Sequence, residues 1–178
     1  MPSNDYVKLE RRLVLAAWAC HQLGYASNKA MLENLCEVEE GFTSRGRSYL
    51  VQAILARGSK CLVSEQDLEG YDSNIRSHLN YFNTHRNEAL ALRYFQHLSL
   101  LVTELFLDRR FNHEKALKRE LNAFVNQRNS KRGPTDAQDA IFADNELAKL
   151  AFWMATGSGK TILMHFHYRQ FLHYCQNP

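Results

Sequence analysis

Along most of the chain the apolar residues recur at intervals of three and four, which places them on one face of a helix. Val7 to Leu23 is a first such segment, closing at Gly24, the residue type that commonly ends a helix. Asn28 to Val38 is a shorter second one. "EEGFTSRGRS" interrupts the pattern, and Tyr49 to Ala56 resumes it ahead of Gly58. Ser64, with Asp67 three positions on, resembles a capping box with Asp in place of Glu. It opens a segment in which Ile75, Leu79 and Phe82 share a face. The only prolines are Pro2, Pro134 and Pro178, so from Ser3 to Gly133 nothing fixes φ or removes a backbone donor, and long helices are permitted throughout.

The strongest signal is Asn87 to Arg110. Ala91, Tyr94, Phe95, Leu98, Leu101, Val102 and Leu105 form one stripe, and Leu100, Phe106 and Leu107 widen it almost all the way round. A helix so apolar belongs at the centre of a bundle, wrapped by the others. A helix over 112–128, with Leu117, Leu121, Phe124 and Val125, is expected to pack back against it.

Beyond it the pattern changes. "RNSKRGPTDAQD" is a polar stretch carrying Gly-Pro, which reads as a linker over 129–146 after a helical domain over 1–128. "LAKLAFWMA" is a short apolar run, expected as a strand buried on both faces. A Gly-rich loop follows, and "TILMHFHYRQFLHY" recovers helical spacing. The expected fold is therefore mainly α, with residues 147–178 forming the first strand, loop and helix of an incomplete α/β domain.

Strand, Gly-rich loop and helix form the context in which a phosphate is gripped. Gly157 and Gly159 leave room for the backbone to wrap an anion, because a Cβ there would crowd it. Amides from Gly157 to Thr161 would converge at the positive end of the next helix. Lys160 would reach the β- and γ-phosphates, and the Thr161 hydroxyl would take one position on Mg²⁺. The candidate contacts are Thr156, Gly157, Ser158, Gly159, Lys160 and Thr161, with ATP and Mg²⁺ as ligands. The general signature GxxxxGK[ST] has glycine where this chain has Met154.

"MATGSGKT" resembles motif I of superfamily 2 DEAD/DEAH-box helicases, in the form found in type III restriction enzyme motor subunits, where Met or Ala commonly stands at the Met154 position. "GYDSNIRSHLNYFN", "ALRYFQHLSLLVTELFLDRRF" and the stretch around the loop also resemble the N-terminal region of those proteins. The resemblance implies a RecA-like motor that uses ATP and Mg²⁺ to move along double-stranded nucleic acid, with DNA as the partner of the parent protein, in restriction or phage defence. Such a motor needs an acid box and arginine fingers, yet after Thr161 the sequence "ILMHFHYRQFLHYCQNP" has no Asp and no Glu. The chain is expected to bind ATP without hydrolysing it alone, the rest of the motor or another chain covering the C-terminal segment.

Composition narrows the classes. Hydrophobic residues are 45% and charged residues 23% of the chain, a globular balance. No apolar run reaches the roughly 18 residues needed to span a bilayer, and the N-terminus lacks the order of a signal peptide, so a cytoplasmic location is expected. Cys20, Cys36, Cys61 and Cys175 form no CxxC pair. His165 and His167, two apart on a helix, point to nearly opposite sides and do not chelate together, and His173 lies two turns further on. The net charge of +3 permits contact with nucleic acid without arguing for it. Two other readings stand beside the motor: a non-enzymatic helical module that binds a partner, and a nucleotide sensor without turnover.

Overall fold

The computed structural model describes residues 13–84, 86–133, 136–143, 146–152 and 154–176. Among them are seven α-helices: α1 (Val14–Gln22), α2 (Asn28–Leu35), α3 (Tyr49–Leu55), α4 (Glu65–Asn83), α5 (Tyr94–Asn112), α6 (Glu114–Asn129) and α7 (Lys160–Gln176). Short 3₁₀ turns occupy Gly58–Lys60 and Glu146–Ala148. None of these helices is long and apolar enough to cross a membrane.

The helix starts follow local chemistry. Ser27, Ser48 and Ser64 each lie in extended backbone and accept an amide three residues on, from Ala30, Val51 and Asp67, at 3.0–3.1 Å. Those bonds satisfy donors that a helix start otherwise leaves open. At the far end of α1, Gly24 takes φ +83°, and a Cβ there would come within 2.8 Å of the Lys60 carbonyl, so glycine is required on two counts.

α5 is the axis of the molecule, and α3, α4, α6 and α7 all pack on it. Leu100, Leu101 and Leu105 are wholly buried. At about 1.5–3 kcal/mol per fully buried large side chain, this one helix anchors much of the core. Its start differs from the sequence expectation. The helix begins at Tyr94 rather than Asn87, and Ala91 is exposed in the preceding loop. Asn83 draws the chain away from helix there: its side chain accepts from the Leu90 amide at 2.7 Å and donates to the Leu90 carbonyl at 3.2 Å. α2 likewise stops at Leu35, short of Val38, and residues 7–12 of the first expected segment lie outside the described residues.

The same amide chemistry fixes the stretch after α6. Asn129 pairs with the backbone of Asp139 through both N–H and C=O, and Asn122 pairs with that of Phe142 in the same way, at 2.7–3.2 Å. Asn122 and Asn129 are seven residues apart on a helix, about 10 Å; three extended residues span about the same distance. The chain therefore runs back along α6, antiparallel to it, with Arg128 and Arg132 both paired to Asp139. The polar stretch expected as a linker over 129–146 is held along its described residues.

The expected strand is not seen in the described part of its segment. Among the described residues no strand forms, and the single β-bridge joins Phe42 to Ser48, remote from this segment. Residues 146–148 make a 3₁₀ turn with Leu147 buried, while Ala151 and Phe152 are exposed. A strand is stabilised by pairing its N–H and C=O rows with a neighbour, and the described chain offers this run none.

α7 closes the body. Leu163, Phe166, Gln170 and Tyr174 face inward at helical spacing, and the Phe166 ring meets that of Phe82 on α4 at a tilt, with centroids 4.6 Å apart. The seam has a polar centre. Glu104 of α5 is wholly buried and accepts from Asn74 of α4 and from Gln170 and Tyr174 of α7 at 3.1, 2.7 and 2.8 Å. Burial pushes its carboxyl above the usual range, and the three hydrogen bonds pull it back. Gln170 also donates to the Leu100 carbonyl, so α7 is tied to α5 by backbone as well as side chain.

Candidate phosphate-binding loop

The loop lies where α7 meets the first turn of α5. Gly157 and Gly159 both take left-handed φ, +79° and +83°, on either side of Ser158. At Gly159 a Cβ would come within 2.6 Å of the Gln96 side-chain nitrogen and 3.3 Å of Ile162, so a larger residue would have to displace the Gln96 carboxamide in addition to straining the left-handed backbone. At Gly157 space is open, and the backbone conformation alone selects glycine. The Ser158 hydroxyl donates to the Ala155 carbonyl at 2.7 Å and tightens the turn.

α7 begins at Lys160. Among the described residues the amides of Lys160, Thr161 and Ile162 have no backbone acceptor, and the first bond into the helix runs from Leu163 to the Gly159 carbonyl at 3.1 Å. Three donors thus cluster at the positive end of a helix dipole, beside a backbone folded back on itself by two glycines. The Lys160 ammonium arches over the loop and donates to the carbonyls of Ala155 at 2.9 Å and Met154 at 3.4 Å. Thr156, Gly157, Lys160 and Thr161 are exposed, and Ser158 and Gly159 are half-buried. All six expected residues therefore sit on one short turn at the surface.

Gln96 is a participant that the sequence does not announce. Its side chain accepts from the Arg93 amide at 2.9 Å, closing the first turn of α5, and donates to the Ser158 carbonyl at 3.0 Å. It stands in an apolar stripe 62 residues from the loop, and its capping position is the only local hint of a role.

Met154, at the position where the general signature has glycine, is half-buried and packs on the core rather than turning the chain. A cavity of about 490 Å³ opens beside it, between the loop and helices α1, α2 and α5.

The remaining candidates do not assemble into sites. His165 is exposed, His167 bonds Gln170 and stacks on Phe152 at 4.1 Å, and His173 lies near Asn74 and His78. No group of three or more His, Cys, Asp or Glu among the described residues is placed to hold a metal ion. Gln138 is exposed. The four cysteines are free, and burial pushes the Cys20 thiol up to about 11, which makes it inert. Asp72 and His97 form a buried pair at 3.0 Å, with Asp72 also accepting the Ser48 amide at 2.6 Å. This ties α4 to α5 and to the start of α3. No protein-family model, curated protein or solved structure matches the chain.

Proposed function

We propose that residues 156–161 grip the triphosphate of ATP, and that the chain is the N-terminal region of an ATP-dependent DNA helicase or translocase of the superfamily 2, type III restriction kind. The observation that carries the reading is the pair of left-handed glycines directly before three open helix-start amides, with Lys160 arched above them. A phosphate would take those amides and draw the ammonium off the Ala155 and Met154 carbonyls, exchanging neutral acceptors for charged ones. Thr161, exposed in the first turn of α7, is positioned to offer its hydroxyl to a Mg²⁺ that the phosphates bring with them.

In that motor, residues 147–155 would become the opening strand of a RecA-like domain once neighbouring strands supply the ladder they lack here. Helix α7 carries no Asp or Glu, and the helical body it packs on holds buried carboxylates. Glu104 and Asp72 are there, buried and fully engaged. Binding without turnover is the expected behaviour of the chain alone.

Titrating ATP with Mg²⁺ by calorimetry tests the reading. Wild type is expected to bind, and Lys160→Ala to weaken binding by about tenfold or more, the worth of one charge-assisted phosphate contact. Equal affinity in the two proteins would remove the loop from consideration.

A second reading rests on a different observation. Met164, Tyr168 and Phe171 stand 48–63% exposed along the outer face of α7, and Phe111 of α5 meets Phe171 at 5.7 Å. An apolar strip of that kind on a helix marks a contact surface, as a non-enzymatic partner-binding module would have.

A further inference from the structure

The cavity beside the loop has a composition of its own. Met31, Leu32, Phe95, Val102, Phe152 and Met154 supply most of its wall, and among the described residues no charged side chain lines it. Its volume of about 490 Å³ falls in the range of roughly 300–1,000 Å³ typical of small-molecule sites. Two of the lining residues carry a polar atom with almost no accessible surface, set beneath the apolar wall. The Asn28 side-chain oxygen and the Ser99 hydroxyl are buried, and neither has a hydrogen-bond partner. Buried polar atoms are ordinarily bonded, so two orphans bordering one cavity call for an explanation.

Ala155 and Ser158 belong both to the cavity wall and to the turn that presents the open amides. A ligand held at the turn by an anionic end can therefore reach the cavity with its other end. That other end must be uncharged, since nothing in the wall would neutralise it. Aromatic side chains at Phe95 and Phe152 suit a flat ring. Turned inward by rotation of their side chains, the Asn28 oxygen and the Ser99 hydroxyl would suit a ring that carries both a donor and an acceptor on its edge, which an acyl chain does not. We infer that the cavity receives the purine base of the nucleotide whose phosphates lie in the loop, an inference that rests on the phosphate reading of residues 156–161. On this arrangement the helical body is part of the nucleotide site: α1, α2 and α5 enclose the base, and the turn before α7 holds the phosphates.

The experiment pairs two partial ligands with two variants of the full chain. Adenosine, which has no phosphate, is titrated against isotope-labelled wild type and followed by amide chemical shifts. The expected result is shifts at Asn28, Phe95, Ser99 and Met154 that persist in Lys160→Ala. Calorimetry then compares Mg²⁺-ATP with inorganic tripolyphosphate. Ala16→Phe, which fills the cavity from α1, is expected to weaken ATP by about tenfold or more, the size of one lost stacking platform, and to leave tripolyphosphate unchanged. Lys160→Ala weakens both. If tripolyphosphate binds but adenosine moves none of those amides, or Ala16→Phe leaves ATP as tight as before, the base site is overturned and the loop stands. If tripolyphosphate does not bind wild type, the phosphate reading falls and takes this inference with it. Should Ala16→Phe fail to fold, the adenosine titration on wild type decides alone.

Discussion

His78 shows how much one side chain can tell. It is buried on α4 with neither ring nitrogen bonded, and burial, then Arg169 and His173, lowers its pKa from 6.5 to about 4. The folded protein refuses a proton that the unfolded chain accepts. The stabilisation from keeping this ring neutral is complete above pH 6.5 and is lost as pH falls through about 4. His78→Phe keeps the ring and removes both the titration and the two orphan nitrogens. Thermal melts should show the variant gaining on wild type more at about pH 5 than at about pH 8; a constant difference would mean that His78 is not held neutral. Nothing in the sequence distinguishes this histidine from His165, which is exposed, because a single polar residue on a helix does not declare which neighbours will enclose it. Gln96 was equally opaque, its partner at Ser158 being remote in the chain. Gly157 and Gly159 were legible for the opposite reason. A need for left-handed φ leaves a mark in the residue type itself.

At the scale of elements, the periodic pattern carried α3, α4 and α6 nearly to their ends and identified α5 as the axis. It misread the two places where side chains compete with backbone pairing. Asn83 pulls Leu90 out of the helix expected from Asn87, and Asn122 with Asn129 holds the stretch that composition marks as a loose linker. The strand expected over 147–155 failed on a known ambiguity, since a short apolar run before a turn looks the same whether it pairs or merely packs. The asparagine clamps carry their own prediction. Replacing Asn122 and Asn129 together by alanine removes four hydrogen bonds and should destabilise the protein by roughly 1–3 kcal/mol per site in urea unfolding. Amide exchange at Asp139 and Phe142 should quicken while α5 stays protected. Unchanged exchange at those two amides would mean the stretch is held by other contacts.

For the molecule as a whole, α7 has two faces with different standing. Its inner face is part of the core, so removing residues beyond about 140 would uncover Leu100, Leu101 and the buried Glu104 carboxyl. Its outer face, with Met164, Tyr168 and Phe171 beside Phe111, remains open to a partner. Sedimentation velocity across a range of concentrations should show association, and Tyr168→Glu should abolish it while leaving the melting temperature within a few degrees. A monomer at every concentration would show that copies of this chain do not use the strip. Neither outcome tests the loop, which precedes the helix.

The double engagement of Gln96 ties two distant events together. One carboxamide supplies the acceptor that keeps the opening amide of α5 satisfied and the donor that steadies the carbonyl between two flexible glycines. An occupant that displaces Ser158 therefore tugs on the root of the central helix, and fraying at Tyr94 would in turn slacken the turn ahead of Lys160. The turn ahead of α7 and the root of α5 hold or yield together.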